Sequence, residues 1–161
     1  MDSSKELIII TGVSGAGKSS AMAFMEDAGY YCIDNMPPEL MSTFVSLLAN
    51  NSEYYPKVAM VVDIRSGYVF EKIIASIDSV EQYGYTCKIV YLDINDTEAL
   101  KRYKLTRRKH PFADKFNGNI QNALDYEREI LAPLRLKADH IIDTSGIDTH
   151  QNFLWGMPRS I

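Results

Sequence analysis

Eight residues near the start of the chain constrain it more than anything else: Gly12-Val13-Ser14-Gly15-Ala16-Gly17-Lys18-Ser19. They follow a compact apolar run, Glu6–Thr11 (ELIIIT), and open a stretch of helical character, Lys18–Ala28, that stops at Gly29. Glycines at 12, 15 and 17 tolerate positive φ and carry no side chain. Consecutive backbone N–H groups can therefore turn inward as an anion-binding nest. A helix beginning at Lys18 aims its positive dipole end at the same point. Lys18 adds a point charge suited to β- and γ-phosphates, and Ser19 offers a hydroxyl to Mg²⁺. The opposing reading is a glycine-rich turn that arose by chance. The complete G-x-x-x-x-G-K-[ST] match, with a strand before it and a helix after it, weighs heavily against that. The segment Gly12–Ser19 is thus read as a cradle for a polyphosphate.

The rest of the chain repeats the same alternation. Tyr30–Asp34 (YYCID), Val58–Ile64 (VAMVVDI), Cys87–Ile94 (CKIVYLDI) and Asp139–Asp143 (DHIID) read as four further strands. Between them lie helical patterns. Glu39–Ala49 places Leu40, Phe44, Leu47 and Leu48 on one face, and Val69–Gln82 does so with Ile73, Ile74, Ile77 and Val80. Thr97–Arg108 reads as a basic helix, and Ile120–Lys137 as a long amphipathic one kinked at Pro133. Five strands alternating with helices predict a three-layer α/β/α fold around a five-stranded parallel sheet, of the P-loop kinase kind. Pro111–Asn119 (PFADKFNGN) lacks periodicity and reads as a mobile loop, a candidate lid beside the basic helix.

Composition narrows the functional classes. At 161 residues, 46% hydrophobic and 24% charged, the chain is one globular domain, here assigned to residues 1–150. No apolar run reaches the roughly 18 residues a membrane span needs. The start, Met1–Glu6, is polar and acidic rather than signal-like, which predicts a cytoplasmic protein without membrane association. Cys32 and Cys87 read as two reduced thiols in core strands. Seventeen basic against twenty-one acidic residues leave a net charge of −4, unlike a general nucleic-acid wrapper. Yet Lys101, Arg102, Lys104, Arg107, Arg108 and Lys109 crowd six cations into nine residues, which asks for an anionic partner.

Further site candidates come from the strand ends. Mg²⁺ wants a carboxylate or a carboxylate-held water, and Asp63 and Asp93 both end apolar strands. Asp63 is preferred, because Ile64, Arg65 and Ser66 follow it within reach of a nucleotide. Asp93, Asn95 and Asp96 together read more readily as helix capping. Asp34, at the end of the second strand, is either an acceptor-side base or, with Asn35, a turn and cap. Arg107 and Arg108 are candidates for stabilising charge on a transferred phosphoryl group. His110 reads as a loop residue rather than a base.

The stretches ITGVSGAGKSSAMAFMEDAGYYCIDNMPPEL (9–40), VVDIRS (61–66), YLDINDTEALKRYKLTRRKHP (91–111) and EREILAPLRLKADHIIDTS (127–145) resemble the N-terminal P-loop domain of the bacterial RapZ/YvcJ family. The combination of YCIDN, DIR and TRRKHP is more specific than the glycine-rich motif alone. The resemblance implies binding of ATP and GTP, with weak hydrolysis and a regulatory role. It puts ATP phosphates on Gly12–Ser19 and a GTP-assigned segment on Asp63-Ile64-Arg65-Ser66. It also implies RNA or an RNase as partner, through a C-terminal domain that has no counterpart in these 161 residues. From about Asn152 the tail (NFLWGMPRSI) departs from the family, so 151–161 reads as an off-family, truncated end. Three functions stand open: a slow, Mg²⁺-dependent NTPase; a small-molecule kinase of the shikimate, gluconate or adenylate kinase sort, with Asp34 as base; and an RNA-binding adaptor using the basic helix. The helix Glu39–Ala49 carries no cation for an anionic acceptor, which favours the first.

Overall fold

The computed structural model describes residues 4–65, 69–105 and 109–146. Five strands, β1 (Lys5–Gly12), β2 (Tyr31–Met36), β3 (Lys57–Val62), β4 (Tyr85–Asp93) and β5 (His140–Asp143), form one sheet in the order β2-β3-β1-β4-β5. All four pairings are parallel. The helices are α1 (Lys18–Asp27), α2 (Met41–Asn50), α3 (Val69–Glu81), α4 (Asp96–Leu105) and α5 (Ile120–Lys137), with 3₁₀ turns at Pro38–Leu40 and Asp114–Phe116. Right-handed crossovers put α1 on one face of the sheet and α2, α3 and α5 on the other. The contacts of α3 with both α2 and α5 agree with that. The predicted three-layer architecture is the observed one.

The central position of β1 explains its sequence. It pairs with β3 on one side and β4 on the other and is covered on both faces. Leu7, Ile9 and Ile10 are therefore fully buried, and no polar residue interrupts them. Each such side chain contributes about 1.5–3 kcal/mol on burial. Residues 58–62 of β3 are buried for the same reason. Helix α1 ends in a Schellman arrangement: Tyr30 N–H donates to the Met25 carbonyl and Gly29 N–H to that of Glu26, both at 3.0 Å. Gly29 takes the left-handed φ of 92° this requires.

Several local expectations change. Glu39–Ala49 is not one helix, because Pro38–Leu40 forms a 3₁₀ turn first. The buried face of α2 is Met41, Val45 and Leu48, while Leu40 and Leu47 point to solvent. Apolar residues ring this segment, so its periodicity does not select a face; the docking against α3 does. Asp34 and Asn35 do not end β2. They sit in a register shift between Ile33 and Met36, with Asn35 at φ 52°, and the strand runs on to Met36. The expected helix Ile120–Lys137, by contrast, is observed with those bounds and with Pro133 inside it.

The segment after the basic helix also differs from an unpatterned loop. Residues 109–119 contain a 3₁₀ turn, and Phe112 and Phe116 meet the Tyr126 ring edge-on at centroid distances of 5.1 and 5.5 Å. His110 and Ala113 are buried. Aromatic packing of this sort leaves no period for the eye to find. Cys32 and Cys87 are free thiols on β2 and β4, packed against the core. Burial, with the charges of Glu81 and Asp139, pushes the Cys87 thiol up to about 12. Among the described residues, no helix is long and apolar enough to cross a membrane. Ser66, Arg107, Arg108 and the tail 151–161 lie outside the described residues.

Candidate functional site

The glycine-rich segment leaves the end of β1 and enters α1, as its sequence predicts. Gly12, Gly15 and Gly17 all have positive φ, at 142°, 87° and 100°. Gly12 is the tightest point. It lies beside Leu92 of β4, and a Cβ there would stand 2.1 Å from the Leu92 carbonyl oxygen. The next amide, Val13 N–H, donates to that same carbonyl at 3.2 Å. The loop is thus bonded to β4 where the chain turns.

A loop with so few side chains has its shape imposed by its neighbours. Arg102 of α4 donates to the Gly15 carbonyl at 2.6 Å and to the Thr144 carbonyl at 2.9 Å. The Thr144 hydroxyl, just past β5, donates to the Ala16 carbonyl at 2.7 Å. Lys18 folds back so that Nζ donates to the Gly12 carbonyl at 2.8 Å. Burial pushes the Lys18 ammonium down, and the carboxylates of Glu127 and Asp34 pull against it. Ser19 is exposed in the first turn of α1.

Glu127 is the largest departure from expectation. It projects from α5 with its side chain wholly buried. Its carboxylate accepts from Ser14 N–H at 2.7 Å and from the Ser14 hydroxyl at 2.5 Å. His110 Nε2 lies 3.4 Å from the same carboxylate. His110 Nδ1 accepts from Phe112 N–H at 3.0 Å, so in the neutral ring the proton sits on Nε2, facing Glu127. Burial alone would raise the Glu127 carboxyl. The His110 bond, the Lys18 charge and the two Ser14 bonds outweigh it and hold the group below its usual 4.5. A carboxyl held low in the folded state adds stability above the unfolded value, and that stability is lost as pH falls through the folded one. Glu127→Gln is therefore expected to flatten the acid limb of a urea-midpoint profile below about pH 4.5. An unchanged limb would show that Glu127 is not charged in the fold.

The two competing strand-end acids flank β1, Asp63 on the β3 side and Asp93 on the β4 side. Asp63 pairs with the exposed Arg65, whose Nη2 and Nε reach its carboxylate at 2.9 and 3.0 Å, and Arg65 N–H adds a third bond at 3.0 Å. These bonds, working against partial burial, keep the Asp63 carboxyl low. Asp93 turns instead toward Arg135 of α5, at 3.5 Å. Neither it nor Asp96 caps α4; Asn95 does, accepting from Glu98 N–H at 2.8 Å. Asp34 is exposed on the edge strand, one strand beyond β3, yet Lys18 feels its charge. A cleft of about 360 Å³ at the ends of β4 and β5 is lined by Asp93, Ile94, Asn95, Asp96, Arg128 and Asp143. It carries three carboxylates and one guanidinium, that of Arg128, which pairs with Asp96.

Sequence reading singled out the loop, Lys18 and Ser19. Glu127 and Thr144 belong to no sequence motif, His110 reads as a loop residue, and Arg102 reads as part of the basic cluster. A signal for Glu127 was present: it interrupts the otherwise apolar face Ala123, Leu124, Leu131 and Leu134 of α5. An acid buried at helical spacing among apolar residues needs a partner.

A glycine loop leaving the central strand of a parallel sheet in this order defines a P-loop α/β protein of the kinase-like kind. The model of the RapZ-like N-terminal domain matches residues 5–153, and the chain belongs to that family. It is 44% identical over 146 residues to a nucleotide-binding protein of Alkaliphilus oremlandii, covering 91% of this chain and 50% of that one. It is 44% identical over 142 residues to a nucleotide-binding protein of Finegoldia magna, covering 88% and 49%. The chain thus spans about half the length of these curated relatives. Among solved structures, the YorR protein of Bacillus subtilis in complex with phosphorylated GDP superposes with a TM-score of 0.52 at 18% identity, covering 85% of this chain and 84% of that one. This likeness is one of fold.

Proposed function

We propose that this chain is a Mg²⁺-dependent nucleotide-binding domain that holds the triphosphate of ATP or GTP on Gly12–Ser19 and hydrolyses it slowly. Its bound state then acts as a regulatory signal. The observation that carries this reading is the loop itself. Three left-handed glycines open it, α1 begins beneath it, and the Lys18 ammonium lies against its first carbonyl. Relatives named as nucleotide-binding proteins support the same reading.

The roles follow from charge. Backbone amides and the α1 dipole take the phosphate oxygens. Lys18 exchanges its bond to Gly12 for the phosphates. Ser19 and Asp63 would hold Mg²⁺, since a hydroxyl and a carboxylate are the hard oxygen donors that ion takes. When bound, Mg²⁺ neutralises charge developing on the transferred phosphoryl group. Asp63→Asn is then expected to slow phosphate release at least roughly tenfold while ADP affinity stays within about threefold. If Asp93→Asn does this instead, the metal acid lies on the other side of β1.

Asp34 keeps a second reading in view. Its carboxylate is exposed on β2, open to a hydroxyl acceptor as the base of a small-molecule kinase must be. The deciding experiment measures phosphate release from ATP and GTP with Mg²⁺ across a panel of hydroxyl acceptors. Release that needs no acceptor supports the NTPase, and transfer to one member supports the kinase. RNA or an RNase as the regulated partner is proposed on family resemblance alone.

A further inference from the structure

We propose that Glu127 is a positioning residue for nucleotide binding, whose buried carboxylate ties the phosphate loop at Ser14 to the 109–119 segment at His110 so that the two respond to nucleotide as one unit. The inference rests on the reading that nucleotide binds at Gly12–Ser19 and adds a route by which that binding is transmitted.

Three observations carry it. Glu127 is the one described contact of the loop that is both charged and wholly buried, and it takes both the amide and the hydroxyl of Ser14. Bonds to a desolvated ion are stronger and more directional than those to a neutral carbonyl. The same carboxylate faces His110 Nε2, and the other ring nitrogen is occupied by Phe112 N–H, so the imidazole is held at both ends. His110 also packs 5.5 Å from the Tyr103 ring, and the edge of that ring lies against Gly15. Loop and segment thus share a closed set of contacts through α4 and α5. The groups that face Glu127 are Ser14, Lys18, His110, Tyr103 and Tyr91. Among these Lys18 is the one lysine or arginine, and it sits on α1 at the mouth of the loop.

A carboxylate beside a phosphate site would weaken binding if it merely repelled the ligand. Here both oxygens are engaged by Ser14, so its effect is to fix the loop before phosphate arrives. Preorganisation of this kind improves affinity by removing an ordering cost at the moment of binding. Because His110 shares the carboxylate, any tightening of the loop is felt in 109–119.

The test is calorimetry with ADP and ATP, each with Mg²⁺, together with amide hydrogen exchange of 109–119 with and without nucleotide. Both are run well below the melting temperature of each variant. In the wild-type chain, nucleotide should raise protection across 109–119. Glu127→Gln should weaken nucleotide affinity by roughly tenfold or more, the scale of a lost charged hydrogen bond, and should abolish the rise in protection. His110→Gln should weaken affinity less and still abolish the rise. The double variant should be no worse than Glu127→Gln alone, because the two act through one connection. A role in stability alone would lower the melting temperature while leaving affinity and transmitted protection as in the wild type, and that result overturns the proposal. If Glu127→Gln does not fold, His110→Gln decides: protection still transmitted overturns it, and protection lost supports it. If the wild-type chain binds no nucleotide, or Lys18→Ala binds as well as wild type, the phosphate-loop reading has failed instead.

Discussion

Gly12→Ala is expected to destabilise the fold by on the order of 3 kcal/mol or more, a fall of roughly 6–12 °C or more in melting temperature for a chain of this size. Two costs coincide at this position. The backbone φ of +142° is one that L side chains rarely adopt, and a methyl group would press on three backbone atoms of Leu92, at 2.1, 2.8 and 2.9 Å. Backbone inside a sheet cannot swing aside as a side-chain tip can. Relief must come from parting β1 and β4 at their C-terminal ends, which also breaks the bond from Val13 N–H to Leu92. Gly84→Ala is the control. Gly84 also has positive φ, at +89°, but nothing lies within 4 Å of its built Cβ. It should lose only the left-handed strain, about 1–2 kcal/mol. Urea unfolding of the two variants separates them. Equal losses would show that close approach of the loop to β4 is not what requires glycine.

Lys18→Ala is expected to erase nucleotide-dependent stabilisation. A ligand present at a hundred times its Kd stabilises a domain by about 2.7 kcal/mol, which is roughly 5–11 °C in melting temperature here. Without the ammonium, the amides and helix dipole face several phosphate charges with no cationic side chain from the loop itself. The unliganded variant should differ little, since Lys18 makes one bond, to the Gly12 carbonyl, and burial already works against its charge. A thermal shift series with ATP, GTP and ADP reads this directly. Full ATP protection in Lys18→Ala would remove phosphate binding from Gly12–Ser19 and take the assigned roles with it.

These two residues differ in how they could be read beforehand. Lys18 belongs to a motif whose chemistry is local: a strand, a turn, a charge and a helix start within a dozen residues. That is why the cradle was legible. The same locality made the strands legible, because β1 and β3 are buried on both faces and so are written as unbroken apolar runs. Long-range consequences were harder to see. Leu40 and Leu47 read as core and face solvent, because apolar residues surround α2 and only its docking selects a side. Asp93, read with Asn95 and Asp96 as helix capping, turns to Arg135 of α5 and leaves the cap to Asn95. Pro111–Asn119 reads as a mobile loop because ring-against-ring packing on Tyr126 has no period.

What the amino-acid order determined alone is the architecture and the shape of the glycine loop, since hydrophobic periodicity and the backbone freedom of glycine act between near neighbours. What only the tertiary structure decided is who governs the cradle: Glu127, 113 positions from Ser14, Arg102, 87 from Gly15, and Thr144, 128 from Ala16. A buried carboxylate can stay charged only where donors converge on it. Such convergence is a property of how β1, α4 and α5 pack together, which no local window of sequence contains.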